Sequence, residues 1–150
     1  MKKIALLLFI SFFMIANPGL ADAKMIMVDK EKANIRSGPG KEYKIAWSVP
    51  KYTPFEALCK YKKWYVVRDF EGDIGWVFET LVSQKKSVVI KVKSADIRSE
   101  PKKTADIIWK VEKGYPFKFI DKKGKWVNVQ DADGESGCVE TDMIWGLSLK

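Results

Sequence analysis

Two clusters of carboxylates are the side chains in this sequence best placed by type and spacing to do acid–base chemistry: Asp69, Glu71 and Asp73, and again Asp131, Asp133 and Glu135. A glycosidase needs two carboxyl groups facing each other across a cleft wide enough for a sugar ring. These acids instead bracket Gly72 and Gly134 in short polar stretches, where acidic residues shape hairpin turns. The turn reading is the stronger one. Calcium at the second cluster suits the ligand type, but the Asp131-Ala132-Asp133-Gly134 fragment lacks the rest of a calcium loop. The sequence has no histidine, which removes the commonest general base and zinc ligand and, with them, Ser-His-Asp and Cys-His catalysis in their usual forms. Neither a phosphate-binding Gly-x-x-x-x-Gly-Lys-Ser/Thr loop nor a strand-then-helix Gly-x-Gly-x-x-Gly is present. The expectation is a protein with no catalytic residues, no metal and no cofactor, a binding module rather than an enzyme.

The elements that would position any site read twice. A shift of 62 places Ala33-Asn34-Ile35-Arg36-Ser37 on Ala95-Asp96-Ile97-Arg98-Ser99 without a gap. In the same register Pro39 falls on Pro101, Trp47 on Trp109, Pro54-Phe55 on Pro116-Phe117, Trp64 on Trp126, Gly72 on Gly134 and Gly75 on Gly137. Coincidence of Trp, Pro and Gly at one period marks a duplicated unit. Within each unit Phe55–Cys59 and Phe117–Asp121 are expected to set their large apolar side chains mainly on one side. Trp64–Arg68 and Trp126–Gln130 are rich in strand formers, with Gly-containing turns between strands. No long 3.6-residue apolar period follows residue 23, so the expected fold class is all-β: two tandem small barrels, over residues 24–84 and 87–150, joined by a short polar link. A unit of about 60 residues buries only about 60% of its unfolded surface; closing the sheet into a barrel hides its edges.

The first 23 residues read as an export signal. Lys2 and Lys3 precede an apolar run from Ile4 to Ile15, and Ala21-Asp22-Ala23 supplies a small-residue cleavage site. The run is short of the roughly 20 residues a membrane span requires, so no stable span is expected after cleavage. The mature chain would lie in the periplasm, or outside the cell where no outer membrane exists. The formal net charge is +8, which favours anionic lipid headgroups or wall polymers; nucleic acid is not an expected partner of an exported chain. Cys59 and Cys138 fall in different repeats. An oxidising compartment permits a bridge between them, but spacing does not fix whether their Cα atoms come within bonding range.

Aromatic side chains would give such a barrel its contact surface, because they supply large area at small entropy cost. The ligand-binding candidates are Tyr43, Trp47, Tyr52, Trp64, Tyr65, Trp109 and Trp126. The tryptophans shared by both repeats also suit a role in the common core, and those tyrosines that occur in one repeat suit a private surface. Lys41, Lys44, Lys62 and Lys63 would attract anionic groups. Arg36 and Arg98 recur beside a turn and suit a structural hydrogen-bonding role.

Ala33-Asn34-Ile35-Arg36-Ser37-Gly38-Pro39-Gly40, Trp47-Ser48-Val49, Lys63–Val67 and Gly75-Trp76-Val77 resemble the bacterial SH3-like (SH3b) domain, and Ala95–Pro101, Lys125–Val129 and Gly137-Cys138-Val139 repeat the pattern. The tail Met143–Leu147 resembles the end of a two-copy subgroup of exported bacterial proteins. The resemblance implies contact with cell-wall peptidoglycan, through its peptide or its glycan; the alternative is an envelope protein–protein adaptor that binds peptides. The second copy departs at Glu100, which replaces Gly38, and at Cys138, which replaces Trp76. Those changes bear on a shared ligand role, not on the fold.

Overall fold

The structure is a computed structural model that describes residues 24–147; the export signal expected over residues 1–23 lies outside the described residues. Two seven-stranded antiparallel sheets follow one another, matching the all-β expectation. The first contains β1 (Lys24–Val28), β2 (Lys32–Arg36), β3 (Ile45–Pro50), β4 (Pro54–Tyr61), β5 (Trp64–Arg68), β6 (Ile74–Phe78) and β7 (Val82–Ser83), in the order β3-β2-β6-β5-β4-β1-β7. The second contains β8 (Ser87–Ile90), β9 (Ser94–Arg98), β10 (Ile107–Glu112), β11 (Pro116–Lys123), β12 (Trp126–Gln130), β13 (Ser136–Glu140) and β14 (Ile144–Trp145), in the order β10-β9-β13-β12-β11-β8-β14. A 3₁₀ turn precedes the last strand of each, at Glu79–Leu81 and Thr141–Met143.

The two cores are built from the same positions. Val28, Ala33, Ile35, Phe55, Val67 and Val77 are buried together in barrel one, and Ile90, Ala95, Ile97, Phe117, Val129 and Val139 in barrel two. Alternation along β2 and β9 explains the choice: Ala33 and Ile35, like Ala95 and Ile97, point inward, and the residues between them point out. Gly75 and Gly137 have no side chain because a Cβ at either would collide with Ile35 or Ile97 Cγ2. The recurring glycine is therefore a packing requirement of β6 crossing β2, and of β13 crossing β9.

The one-sidedness expected of β4 and β11 fails at one place in each strand. The β4–β5 register shifts between Ala57 and Cys59, and the β11–β12 register shifts between Phe119 and Asp121. Each shift is a bulge, in which one extra residue breaks the period of two. Leu58 and Ile120 occupy the bulges and are exposed, and Cys59 follows its bulge onto the outside.

The barrels are docked. Ile26 and Val28 of β1 belong to the first core and Val88 and Ile90 of β8 to the second, so Met27 and Val89 between them face outward; both are nonetheless 1% exposed. They occupy equivalent positions, and the barrels meet on this side, where β4 approaches β8. Gly146, after the last strand of barrel two, lies so close to Pro54 of barrel one that a Cβ there would come within 3.1 Å of it. At the rim Lys113 Nζ of barrel two pairs with Glu71 Oε1 of barrel one at 2.5 Å and lies 5.6 Å from the Phe70 ring centre.

Candidate functional site

The acidic clusters are turn-forming in both barrels. Asp69 Oδ1 accepts the backbone N–H groups of Glu71 and Asp73, each at 2.9 Å, and Asp131 Oδ1 accepts those of Asp133 at 3.0 Å and Glu135 at 2.9 Å. Gly72 and Gly134 complete the turns with φ of 96° and 92°, a region costly for residues with a Cβ. Among the described residues no group of three or more His, Cys, Asp or Glu side chains is arranged to hold a metal ion. Both cysteines are free thiols, Cys59 exposed and Cys138 buried. Cys138 shares a small cavity of about 40 Å³ with Pro101, Asp121, Lys123, Trp126 and Asn128, all from its own barrel. Burial, together with Asp121, pushes the Cys138 thiol above its ordinary range.

The aromatic candidates separate into three environments. Trp47, Tyr65 and Trp109 are half-buried and pack against the cores; Tyr65 lies on the inward side of β5, with Val67. Tyr43 and Tyr52 stand in loops. Arg36 Nη1 donates to the carbonyls of Lys41 at 3.1 Å and Tyr43 at 2.7 Å, holding the loop between β2 and β3. The Tyr43 ring lies over Gly38, where a Cβ would overlap it. In barrel two Arg98 Nη1 donates to Ala105 O at 2.9 Å, at the position equivalent to Tyr43. Glu100 and Ala105 are thus a coupled exchange: losing the tyrosine ring makes room for a side chain in place of Gly38. Tyr52 adopts a φ of 68° where Gly114 takes 90° in barrel two.

Trp64 and Trp126 form the third class, on the outer faces of β5 and β12, outside both cores. Trp64 packs against Phe78, its cross-strand partner, with ring centres 5.1 Å apart and the rings tilted 58° to each other. The pair lines a groove of about 310 Å³ with Asn34, Arg36, Lys41, Thr80 and Leu81. The side chains come from β2, β5, β6, the β2–β3 loop and the 3₁₀ turn, so no contiguous motif announces the groove, and Phe78 escapes a reading by repeat because its counterpart is Glu140. That mismatch is the signal that could have found it. No carboxylate lines the groove. Lys41 has no ion-pair partner among the described residues, and neither do Lys44, Lys62 and Lys63. In barrel two the equivalent face is neutralised: Arg98 and Lys110 pair with Asp96 at 3.4 and 2.8 Å, and Lys103 pairs with Glu140 at 3.8 Å. The Lys110 ammonium holds the Asp96 carboxyl below its ordinary range.

A second depression, of about 490 Å³, opens where the barrels meet, between Glu31, Pro50 and Lys51 on one side and the Glu112–Pro116 turn with Ala132 on the other. Glu31 and Lys51 form an ion pair at 2.8 Å on its lip, which raises the Lys51 ammonium above its ordinary range. Tyr115, packed against Phe117, forms part of its wall; burial and the nearby Asp131 and Asp133 raise its phenol. This depression exists only because the barrels dock, which neither repeat encodes alone. Among the described residues no helix is long and apolar enough to cross a membrane.

A protein of Staphylococcus epidermidis named as a cell wall amidase, LytH, is 38% identical over 64 residues, 42% of this chain and 22% of that protein. A Bacillus subtilis protein named as an N-acetylmuramoyl-L-alanine amidase, YrvJ, is 26% identical over 114 residues, 69% of this chain and 22% of that protein. The chain thus spans about a fifth of the length of the curated relatives it matches. Among solved structures, an NlpC/P60 family protein of Bacillus cereus superposes with a TM-score of 0.38 at 10% identity over 81% of this chain and 55% of that one. NlpC2 of Trichomonas vaginalis superposes with a TM-score of 0.38 at 12% identity, over 85% and 50%. The family described as bacterial SH3 domain matches twice, over residues 29–84 and 91–146, and the chain belongs to that family as a tandem pair.

Proposed function

We propose that the protein is an exported, non-catalytic binding module of the cell envelope that contacts the peptidoglycan wall through the outer aromatic groove of barrel one. The observation that carries this reading is the Trp64–Phe78 pair, which lies outside the core and is flanked by Arg36 and Lys41 with no carboxylate in the lining. The two rings, tilted 58° to one another, offer sugar rings or peptide an apolar surface that excludes water, and cations without carboxylate partners add attraction to an anionic surface. The relatives named as wall amidases support a wall ligand, and the absence of histidine in the sequence supports a role apart from bond cleavage.

Of the aromatic candidates, Trp64 is the proposed primary contact, with Tyr43 on the adjoining loop. Trp47, Tyr65 and Trp109 serve the cores, and Trp126 faces a cavity too small for a ligand. The test is co-sedimentation of the purified protein with wall sacculi at low salt. Wild-type protein and Trp126→Ala should pellet, and Trp64→Ala should stay in solution. Wild-type protein recovered wholly in the supernatant would sink the proposal.

A further inference from the structure

Resting on that wall-binding reading, we propose that the Trp64 groove takes a phosphodiester-bearing glycopolymer attached to the wall, rather than the neutral glycan strand or the peptide. The molecule carries its own control. Both barrels keep the same cations at the same two positions, Arg36 and Lys41 in one, Arg98 and Lys103 in the other. In barrel two Asp96 and Glu140 occupy them. In barrel one the corresponding residues are Asn34 and Phe78, and neither cation has a carboxylate partner among the described residues. Asn34 Oδ1 instead accepts the Ser48 hydroxyl at 2.7 Å. Thr80 likewise stands where barrel two has Asp142.

The bias extends to the rim. Lys41, Lys44, Lys62 and Lys63 correspond to Lys103, Asp106, Gly124 and Lys125. A neutral sugar chain needs none of these charges, and a peptide terminus offers one. A polymer with a phosphodiester in every unit engages both groove cations and the flanking lysines together, while its sugar or polyol units lie on Trp64 and Phe78. Arg36 suits this role because its Nη1 is already fixed by the loop carbonyls, so little side-chain entropy remains to be lost on binding.

The probe is purified sacculi that carry such a polymer, compared with the same sacculi stripped of it by cold hydrofluoric acid. Stripping should weaken retention of the wild-type protein at least about tenfold, as should Lys41→Glu on untreated sacculi, the size expected for losing a charge-assisted contact. Lys103→Glu removes the same charge from barrel two and should leave retention unchanged. Equal retention on stripped and untreated sacculi would overturn the phosphodiester assignment while leaving wall binding intact. Equal weakening by Lys41→Glu and Lys103→Glu would overturn it in favour of diffuse charge attraction. Absence of wild-type retention on either preparation would overturn both readings.

Discussion

Barrel one and barrel two share their strands, their bulges and their core, and differ on one outer face. The inward residues of β2 and β9 are the same, Ala then Ile; their outward neighbours are Asn34 against Asp96. Phe55 and Phe117 are both fully buried, while Phe78 on the outside becomes Glu140. Packing constrains the inside because interiors tolerate little change of volume. The outside is free to diverge, and one copy alone keeps a face that is aromatic and without compensating carboxylates, the face proposed to meet the wall. On the same face of barrel two, Arg98, Lys103 and Lys110 are paired with Asp96 and Glu140.

Removing a core residue that both barrels share should cost the protein most. Phe55→Ala and Phe117→Ala should each cost about 3–5 kcal/mol and, because Met27 and Val89 are buried at the docked faces, each should shift a single shared thermal transition. Calorimetry that resolved two independent transitions would show that the barrels do not stabilise each other.

A smaller effect sharpens the contrast between the barrels. Barrel one holds Lys62 at a φ of 52° where barrel two has Gly124 at 58°. Left-handed backbone costs a non-glycine residue about 1–2 kcal/mol, and the extra unfolded-state freedom of glycine offsets about 0.5–1 kcal/mol of that. Lys62→Gly should therefore raise the denaturation midpoint, and Gly124→Lys should lower it. An unchanged midpoint in both would mean the strain is relaxed elsewhere.

The smallest effect is on pH. Asp96, held low by Lys110, titrates below its ordinary range in the folded protein. Its contribution is full above the ordinary carboxylate range and is lost as pH falls through the lowered value. Asn34 at the same place in barrel one has no such dependence. Asp96→Asn should flatten part of the acid limb of the stability profile; an unaltered profile would show that the pair contributes nothing measurable, as many exposed pairs do.

Much of this was legible in the sequence. The period of 62 carries every strand of barrel one onto its counterpart, because Trp, Pro and Gly at fixed places each answer a specific steric demand, as Gly75 does under Ile35. The bulges were not legible: nothing in Leu58-Cys59 distinguishes an inserted residue from a regular alternation, and only the register shows it. The docking was hidden too, since Met27 reads as one more apolar residue in β1 rather than as an outward one. The groove lay deepest, because it joins residues from Asn34 to Leu81 that become neighbours only through the strand order β2-β6-β5.

Recognition is proposed to belong to the uncompensated face of barrel one. Phe78→Glu tests it most directly, because it gives barrel one the residue that barrel two carries at the same outer position, away from the core. Its affinity for wall sacculi, measured against wild type in a sedimentation titration, is predicted to fall at least about tenfold, or about 1.4 kcal/mol, with the thermal transition in place. Undiminished affinity in a folded Phe78→Glu protein would contradict the account.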